Sequence, residues 1–322
     1  MRLVAALSGM ALVASSFLTA SGPAQAEPDI ESVQARVDRL YHEAEEATER
    51  QHDARLELTE LRADLASLKA DQERQRRSLE AVRAELQDSI VTQYQGLSMV
   101  GVGQVVVSED PAAFLSGLST MSALRGVQAQ QFDSFATQAK ALNIRTQATA
   151  GRLAQISRVE KQMTREKATV SEKLAEAKTL LERLKDQERE ELLSRSSVRL
   201  PSGVPTSGRA AAAVAYAMAQ VGKRYSYGAA GPSSFDCSGL TMRAWGQAGV
   251  GLPHSSRAQF GSGPRVAAAD LRPGDLVFYY SPISHVGIYI GNGLIVDAAN
   301  PRAGVRVTSL HSMPYVGAVR PG

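Results

Sequence analysis

Apolar residues in the first third of the chain recur at alternating spacings of three and four, the pattern of a helix that buries one stripe. No Pro or Gly interrupts residues 30–95, and Glu and Arg crowd the positions between the apolar ones. This heptad pattern predicts one coiled-coil helix of roughly 90 Å, at about 1.5 Å per residue. The series consists of Ile30, Val33, Val37, Leu40, Ala44, Ala47, Ala54, Leu58, Leu61, Leu65, Leu68, Leu79, Val82 and Leu86.

A second stretch of similar length has helical periodicity from about Gln130 to Leu193. Two helices joined by a single segment predict an antiparallel hairpin over residues 27–193. The segment "GVGQVVVSEDPAAF" would form the tip of the hairpin, with a fresh helix start at Asp110 and Pro111. An apolar tip on a long polar stalk indicates either a partner-binding surface or a dimerisation seam, and the sequence leaves both open.

The character of the chain changes twice after the hairpin. Residues 194–208 lose the periodicity and gain Ser, Pro and Gly, which predicts a flexible linker. Within residues 209–322 we expect a helix over about 209–221 and a second helix from Asp236 to about Ala248. Short β-rich runs follow, among them "DLVFYYS", "HVGIYIG" and "LIVDAAN". Helices followed by an antiparallel meander predict an α+β domain.

The first 26 residues have the features of a secretory signal peptide. A cation at Arg2 precedes an apolar run, and small residues at Ala24 and Ala26 form an A-x-A cleavage site. The alternative is an uncleaved membrane anchor, but the run is short and ends in Ser, Gly and Pro. We therefore expect cleavage near Ala26 and an exported protein in the cell wall or a periplasm-like space.

The net charge of +3 is unevenly distributed along the chain. Residues 209–322 contain 10 Lys and Arg against 4 Asp and no Glu, whereas residues 27–208 carry a net negative charge. A basic C-terminal domain is suited to an anionic polymer. Export, and the absence of basic clusters interleaved with aromatic residues, argue against nucleic acid as that polymer.

The chain has a single cysteine, Cys237, in the stretch "SSFDCSGL". One cysteine cannot form an internal disulfide. Asp236 is a suitable N-cap, and the N-terminus of the helix that follows would favour thiolate over thiol at Cys237. Cysteine is also a common buried residue, so this context alone leaves a nucleophile and a core position equally open.

A cysteine nucleophile needs a histidine base and a group that orients it. His285 opens the run "HVGIYIG" and can face a cleft. A three-residue "GNG" loop would place Asp297 diagonally from His285 on one sheet face, with Gly287 leaving the space between them open. A two-residue turn would shift the register by one and bring Asn300 opposite His285. The residues alone leave both orienting groups open.

The last 115 or so positions resemble the NlpC family of papain-like cell-wall endopeptidases, the NlpC and p-sixty hydrolases. The matching elements, in order, are "YSYG", "FDCSGL", "LPHSSRAQ", "LRPGDLVFY", "HVGIYIGNG" and a terminal "GAVR". The resemblance implies a papain-like, NlpC-type α+β domain with an antiparallel sheet, preceded here by the all-α coiled-coil hairpin. It also implies hydrolysis of peptidoglycan stem peptides, typically at the bond between D-γ-glutamate and a diamino acid.

The same resemblance assigns roles to individual residues. Cys237 matches the nucleophile and His285 the base, and Tyr225 matches the tyrosine near the oxyanion site. Asp236 and Ser238 match the flanking positions. The third polar position holds Asp297, where the family usually has histidine, which resembles an acidic variant among actinobacterial members and favours Asp297 over Asn300.

A second departure from the family pattern concerns substrate contacts. His254 stands where the family more often has arginine, which puts in doubt the substrate contacts expected at Ser255, Ser256 and Gln259. The sequence contains no Cys/His cluster with metal-ligand spacing, so we expect neither a metal nor a cofactor.

The long coiled coil in front of such a domain resembles division-associated hydrolases of actinobacteria. That resemblance suggests that the tip meets a membrane division complex of the FtsEX type and that the coiled coil holds the enzyme inactive. Two other classes remain open. One is a non-catalytic scaffold that activates other wall hydrolases, and the other is an acyltransferase or amidase on the same framework.

Overall fold

The hairpin consists of two very long helices that run antiparallel. The computed structural model describes residues 30–96, 111–182 and 208–322. Helix α1 spans Ile30–Gly96 and helix α2 spans Pro111–Glu182. The second helix begins at Pro111, where a helix start was expected, and it continues through the stretch expected to be helical from about Gln130, so that helix is about 20 residues longer at its start than its periodicity indicated. The tip at residues 97–110, the signal peptide and most of the linker lie outside the described residues.

Apolar packing and cross-helix ion pairs hold the hairpin together. Ala54, Leu58 and Leu61 of α1 pack against Ile156 and Val159 of α2. Nearer the base of the hairpin, α1 packs against Ala177. The pairing is antiparallel, since partner numbers fall along α2 as they rise along α1. These pairs are Arg36 with Glu176 at 2.5 Å, Arg50 with Glu166 at 3.0 Å and Arg62 with Glu160 at 2.9 Å.

The C-terminal domain has helices on one side of an antiparallel sheet. After α3 (Gly208–Ala219) come the paired short strands β1 (Arg224–Tyr225) and β2 (Ser234–Phe235), then α4 (Cys237–Gln247) and α5 (Ser256–Gln259). The main sheet has the order β3-β8-β4-β5-β6-β7, and all its neighbouring strands are antiparallel. Its strands are β3 (Arg265–Val266), β4 (Leu276–Tyr279), β5 (His285–Gly291), β6 (Leu294–Ala298), β7 (Val305–Ser309) and β8 (Tyr315–Val319). The α+β prediction is confirmed.

The domain core lies between the helices and the sheet. Leu240 and Trp245 of α4 pack with Phe278 and Ile288 of the central strands, all nearly inaccessible to solvent. The indole Nε1 of Trp245 donates a hydrogen bond of 3.2 Å to the carbonyl of Gly274. Within the described segments, no helix combines the length and apolar composition that crossing a bilayer requires. The core fixes α4 against β5, the two elements that carry the predicted nucleophile and base.

Truncating the central strand should destabilise the C-terminal domain. Ile288 is completely buried, so Ile288→Ala should cost about 2–5 kcal/mol of the free energy of unfolding. Trp245 is the chain's single tryptophan, and its fluorescence in a urea titration therefore reports on this domain alone. Val316→Ala is the control, because Val316 is 41% exposed. Equal losses for the two variants would contradict this packing.

Candidate active site

The cysteine lies at the first turn of a capped helix. The backbone of Asp236 is extended, and its side chain accepts a hydrogen bond of 2.6 Å from the backbone N–H of Gly239. This N-cap places Cys237 as the first residue of α4, as the sequence predicts. The thiol is buried, with only 1% of the residue exposed.

The histidine and its acidic partner come from neighbouring strands β5 and β6. Gly291 pairs with Leu294 across a two-residue turn, but the register shifts between Tyr289 and Gly291. Beyond that irregularity Ile288 pairs with Val296 and Tyr289 with Ile295, the register that a three-residue "GNG" loop would give. Asp297 Oδ2 therefore lies 2.9 Å from Nε2 of His285. Asn300 instead accepts hydrogen bonds from backbone N–H groups of its own turn, so the alternative register is wrong.

Gly287 and Arg306 help to position the pair of His285 and Asp297. A Cβ atom on Gly287 would lie 3.1 Å from the carbonyl oxygen of Val296 and 3.4 Å from Cβ of Asp297, so glycine keeps this space open. Arg306 donates to the other carboxylate oxygen of Asp297 at 3.2 Å. Burial alone would raise the pKa of Asp297, but His285 and Arg306 outweigh it and hold the pKa below its ordinary value.

A residue of the coiled coil occupies the other side of the imidazole. The Nδ1 atom of His285, which faces the cleft, lies 2.6 Å from Oε1 of Glu45 on α1. Ligand atoms of Glu45, Cys237 and His285 all lie within 4.8 Å of one another. The carboxylate therefore takes the hydrogen-bonding position that a cysteine–histidine pair would need.

Burial and two carboxylates set the protonation of the pair. Burial alone would lower the pKa of His285, yet Glu45 and Asp297 together raise it to about 10, so the imidazole is held as the cation. Burial, followed by the charges of Glu49 and Glu45, raises the pKa of Cys237 well above its ordinary value. The expectation of a thiolate favoured by the helix N-terminus is therefore wrong for this arrangement, because burial of the thiol, with two nearby carboxylates, outweighs the helix.

A second glutamate of α1 fills an anion-binding site beside the thiol. Glu49 Oε1 accepts a hydrogen bond of 2.7 Å from the hydroxyl of Ser238, and Oε2 accepts from the N–H and hydroxyl of Ser256 at 2.5 and 2.7 Å. The thiol of Cys237 lies 3.5 Å from Oε1 of the same carboxylate. Burial would raise the pKa of Glu49, but His52 and these donors lower it to about 2. We call the Ser238 and Ser256 donors the anion cradle.

Of the other predicted site residues, some line the cleft and others support the residues around it. Tyr225 is buried, and its hydroxyl has no hydrogen-bond partner among the described residues. Burial, then the charges of Glu45 and Cys237, raises the pKa of Tyr225. Ser255 caps α5 and donates to Asp53 of α1 at 2.5 Å. Gln259 bonds to Thr241 and to the carbonyls of Ser238 and Pro253, which places it in the frame rather than in the cleft.

The contacts of α1 with the catalytic domain were not foreseen from the sequence. Glu45, Glu49 and His52 follow at spacings of four and three, so they share one face of the helix beside the hairpin seam. Outer contacts extend this face toward the start of α1, since Arg302 pairs with Asp38 at 3.1 Å and the hydroxyl of Tyr227 donates to the carbonyl of Tyr41 at 3.0 Å. Charged residues crowd the whole helix, so the sequence carries no signal that separates these from solvated ones.

Two groups of side chains in the described part of the chain have metal-ligand geometry. Glu45, Cys237 and His285 form one group, whose members are already bonded to one another. The other group is His52, Asp236 and His254. Each group combines α1 with the catalytic domain, and sequence spacing therefore gave no sign of either.

The profile of the NlpC/P60 family matches residues 222–318. A probable endopeptidase of Mycobacterium tuberculosis is 46% identical over 121 residues, covering 35% of this chain and 31% of that protein. A probable endopeptidase of Corynebacterium glutamicum is 43% identical over 116 residues, 36% of this chain and 56% of that protein. The matched region thus spans between about a third and just over half of these relatives.

Two solved structures each match about a third of the chain. The NlpC/p60 domain of the peptidoglycan hydrolase SagA is 34% identical and covers 34% of this chain and 97% of that one, with a TM-score of 0.33. A hypothetical invasion protein of Mycobacterium tuberculosis is 31% identical and covers 35% of this chain and 61% of that one, with a TM-score of 0.32.

Removing the Glu45 carboxylate should lower the pKa of His285. Glu45→Gln should move that pKa from about 10 toward its ordinary value of 6.5, because one of two carboxylates at the ring is lost. The raised pKa means that protonation of His285 contributes fully at pH values below about 6.5 at which Glu45 is still ionised, and that this contribution is lost as the pH rises through about 10. Burial raises the pKa of Glu45, so the ion pair is also lost at acidic pH, when that carboxyl takes up a proton.

Histidine side-chain NMR of the full chain measures this titration. Glu46→Gln is the matched control, since Glu46 is the next residue on α1 and lies 3.4 Å from His42 instead. A pKa of His285 that is the same in the wild type and in Glu45→Gln would contradict the contact.

Proposed function

Because residues 222–318 of this chain form a domain of the NlpC/P60 family, we propose that the protein is an exported cell-wall hydrolase that cleaves peptidoglycan stem peptides. The observation that carries this proposal is the group of Cys237, His285 and Asp297. A helix N-terminus presents the thiol, and two strands in fixed register present the base and its orienting carboxylate. Nucleophile, base and orienting group are the parts that acyl transfer by a cysteine requires.

The proposed reaction proceeds through a thioester. Nδ1 of His285 takes the thiol proton of Cys237, and the thiolate attacks the amide carbonyl of the stem peptide. The same imidazolium then gives its proton to the leaving amine as the C–N bond breaks. Water attacks the thioester, His285 takes one of its protons, and the thiol leaves with that proton. Asp297 keeps Nε2 protonated throughout, so Nδ1 remains the base.

The developing oxyanion needs donors in a dry cleft. We assign this role to the backbone N–H of Cys237 and the hydroxyl of Tyr225, which is buried and unpartnered among the described residues. A raised pKa keeps this hydroxyl protonated, so it is able to donate. Asp236 acts as the helix cap that fixes Cys237.

The anion cradle gives the proposed substrate a carboxylate site. Three donors of Ser238 and Ser256 converge on one carboxylate of Glu49, next to the thiol. A D-γ-glutamyl residue carries a free α-carboxylate close to its scissile amide, and it is the proposed occupant once Glu49 leaves. This chemistry supports cleavage between D-γ-glutamate and a diamino acid.

We further propose that the structure is the inactive, closed state of this enzyme. Glu45 holds the base as a cation, and Glu49 holds the cradle and keeps the thiol protonated. Substrate and α1 compete for the same donors, so hydrolysis requires α1 to leave the cleft. The proposed trigger is a membrane division complex of the FtsEX type that meets the hairpin tip, which lies outside the described residues. The proposal is supported by the polar stalk and by the linker composition.

Breaking the two carboxylate contacts should release activity. The double variant Glu45→Ala/Glu49→Ala of the full chain should digest purified peptidoglycan at least about tenfold faster than wild type. The reason is that α1 loses the two carboxylates that bind His285 and the anion cradle. Mass spectrometry of new termini gives the rate, and Glu60→Ala, exposed on the same helix, is the control. Equal rates for the double variant and wild type would contradict the closed state.

The released activity should depend entirely on the thiol. Adding Cys237→Ala to the double variant should abolish new γ-D-glutamyl carboxyl termini, since Cys237 supplies the single thiol of the chain. Transfer products in place of free carboxyl termini would indicate an acyltransferase. If the double variant also produces no termini, the proposal of a hydrolase fails and the scaffold reading gains support.

A further inference from the structure

A group of possible metal ligands lies where α1 crosses the catalytic domain, outside the catalytic residues. It consists of His52 from α1 with Asp236 and His254 from the domain, whose ligand atoms all lie within 4.8 Å of one another. Nε2 of His254 lies 2.9 and 3.0 Å from the two oxygens of Asp236. Nε2 of His52 lies 3.7 Å from Oδ2 of the same carboxylate.

The hydrogen bonding of His52 is incomplete. Only 1% of this residue is exposed, yet neither ring nitrogen makes a hydrogen bond within the described part of the chain. Buried polar groups in proteins are nearly always bonded, and leaving one without a partner costs stability. The side chain faces Asp236 and stacks on His254, with ring centroids 3.9 Å apart. The ring nitrogens of His52 instead lie 3.5 Å from Oε1 of Glu49 and 3.7 Å from Oδ2 of Asp236, and a ligand beside Nε2 would supply the bond that these longer contacts do not.

We propose that His52, Asp236 and His254 bind a Zn²⁺ ion that ties α1 to the catalytic domain. Two imidazoles and one carboxylate are a donor set that zinc uses in proteins, with a water in the fourth position. Zinc–ligand bonds of about 2.0–2.1 Å place tetrahedral ligand atoms about 3.3 Å apart. The separations of 2.9 to 3.7 Å between these nitrogens and the oxygens of Asp236 bracket that value.

The surroundings of the group support a metal ion in two ways. Glu49 Oε1 lies 3.5 Å from Nδ1 of His52, and a carboxylate on the far nitrogen is the usual way to orient a zinc-binding imidazole. Gly239 provides room on the domain side. A Cβ on Gly239 would lie 2.8 Å from Oδ1 of Asp236 and 3.0 Å from Nε2 of His254, and it would also clash with the carbonyl oxygen of Ala229.

The inference rests on the closed state proposed above and adds a chemical lock to it. His52 belongs to the hairpin, whereas Asp236 and His254 belong to the domain, so the complete site exists only while α1 covers the cleft. Bound zinc would therefore stabilise the closed state by mass action. The competing group of Glu45, Cys237 and His285 differs, because its base is already bonded at both nitrogens.

Zinc binding is tested in the full mature chain carrying Cys237→Ala, which removes the thiolate of the competing group. Titration calorimetry should give one zinc per chain. Adding His52→Ala or His254→Ala should weaken binding by about 100-fold or more. Glu49→Gln, the conservative change in the outer carboxylate, should weaken it about 10-fold. His311→Ala is the control, because His311 is an exposed histidine of the same domain.

Co²⁺ serves as a second, spectroscopic probe of the ligands. We expect visible absorption of a tetrahedral nitrogen- and oxygen-ligated ion that is the same with and without Cys237. Thiolate-to-cobalt charge transfer in the chain that retains Cys237, with no binding to Cys237→Ala, would assign the metal to the catalytic group and overturn the inference. Zinc affinity that is unchanged in His52→Ala and His254→Ala would overturn it as well. Neither readout needs turnover, so this failure is distinguishable from the absence of peptidoglycan cleavage, which would overturn the proposed function alone.

Discussion

The contact between Glu45 and His285 is the interaction on which the rest of this structure depends. The carboxylate of Glu45, on the face of α1 that docks on the domain, lies 2.6 Å from the imidazole of His285, the proposed base. The imidazole is thereby held between Glu45 and Asp297. Buried charges persist only when they are paired, so α1 is able to bury Glu45 only by taking the groups that catalysis needs. In the closed state that we propose, docking α1 and suppressing the site are consequently one event.

The second glutamate extends this coupling from the base to the substrate side of the cleft. Glu49 uses hydrogen-bond donors of Ser238 and Ser256 and lies 3.5 Å from the thiol. The two carboxylates are one helical turn apart, so a rigid helix delivers both together. The hairpin seam supplies that rigidity through apolar packing and ion pairs along the whole contact with α2. A loop with the same two residues would have to lose far more conformational freedom on docking.

Much of the fold and the catalytic group could be predicted from the sequence, because both rest on local rules. Heptad spacing predicted the hairpin, and Asp236 predicted the start of α4. The "GNG" loop limited the partner of His285 to two residues, and the register selects Asp297. The capping signal at Asp110 and Pro111 predicted the start of α2 correctly. The helical periodicity alone placed that start later, at about Gln130.

What the sequence did not reveal depends on tertiary docking. Glu45, Glu49 and His52 look like the many solvated charges of a coiled coil, and only their contact with the domain distinguishes them. The protonation of Cys237 was misjudged for the same reason, since a helix N-terminus is a local effect and the opposing carboxylates arrive from nearly 190 positions away. Gln259 likewise was expected near substrate, yet its amide is used by Thr241 and two carbonyls.

The central claim is that carboxylates of α1 keep the thiol of Cys237 buried and protonated. The most direct measurement is the rate at which iodoacetamide alkylates Cys237, followed by mass spectrometry at pH 7.5 in the full chain and in Glu45→Ala/Glu49→Ala. The account predicts alkylation at least about tenfold faster in the double variant, because reactivity follows exposure and the thiolate fraction. Equal rates in the two proteins would contradict it.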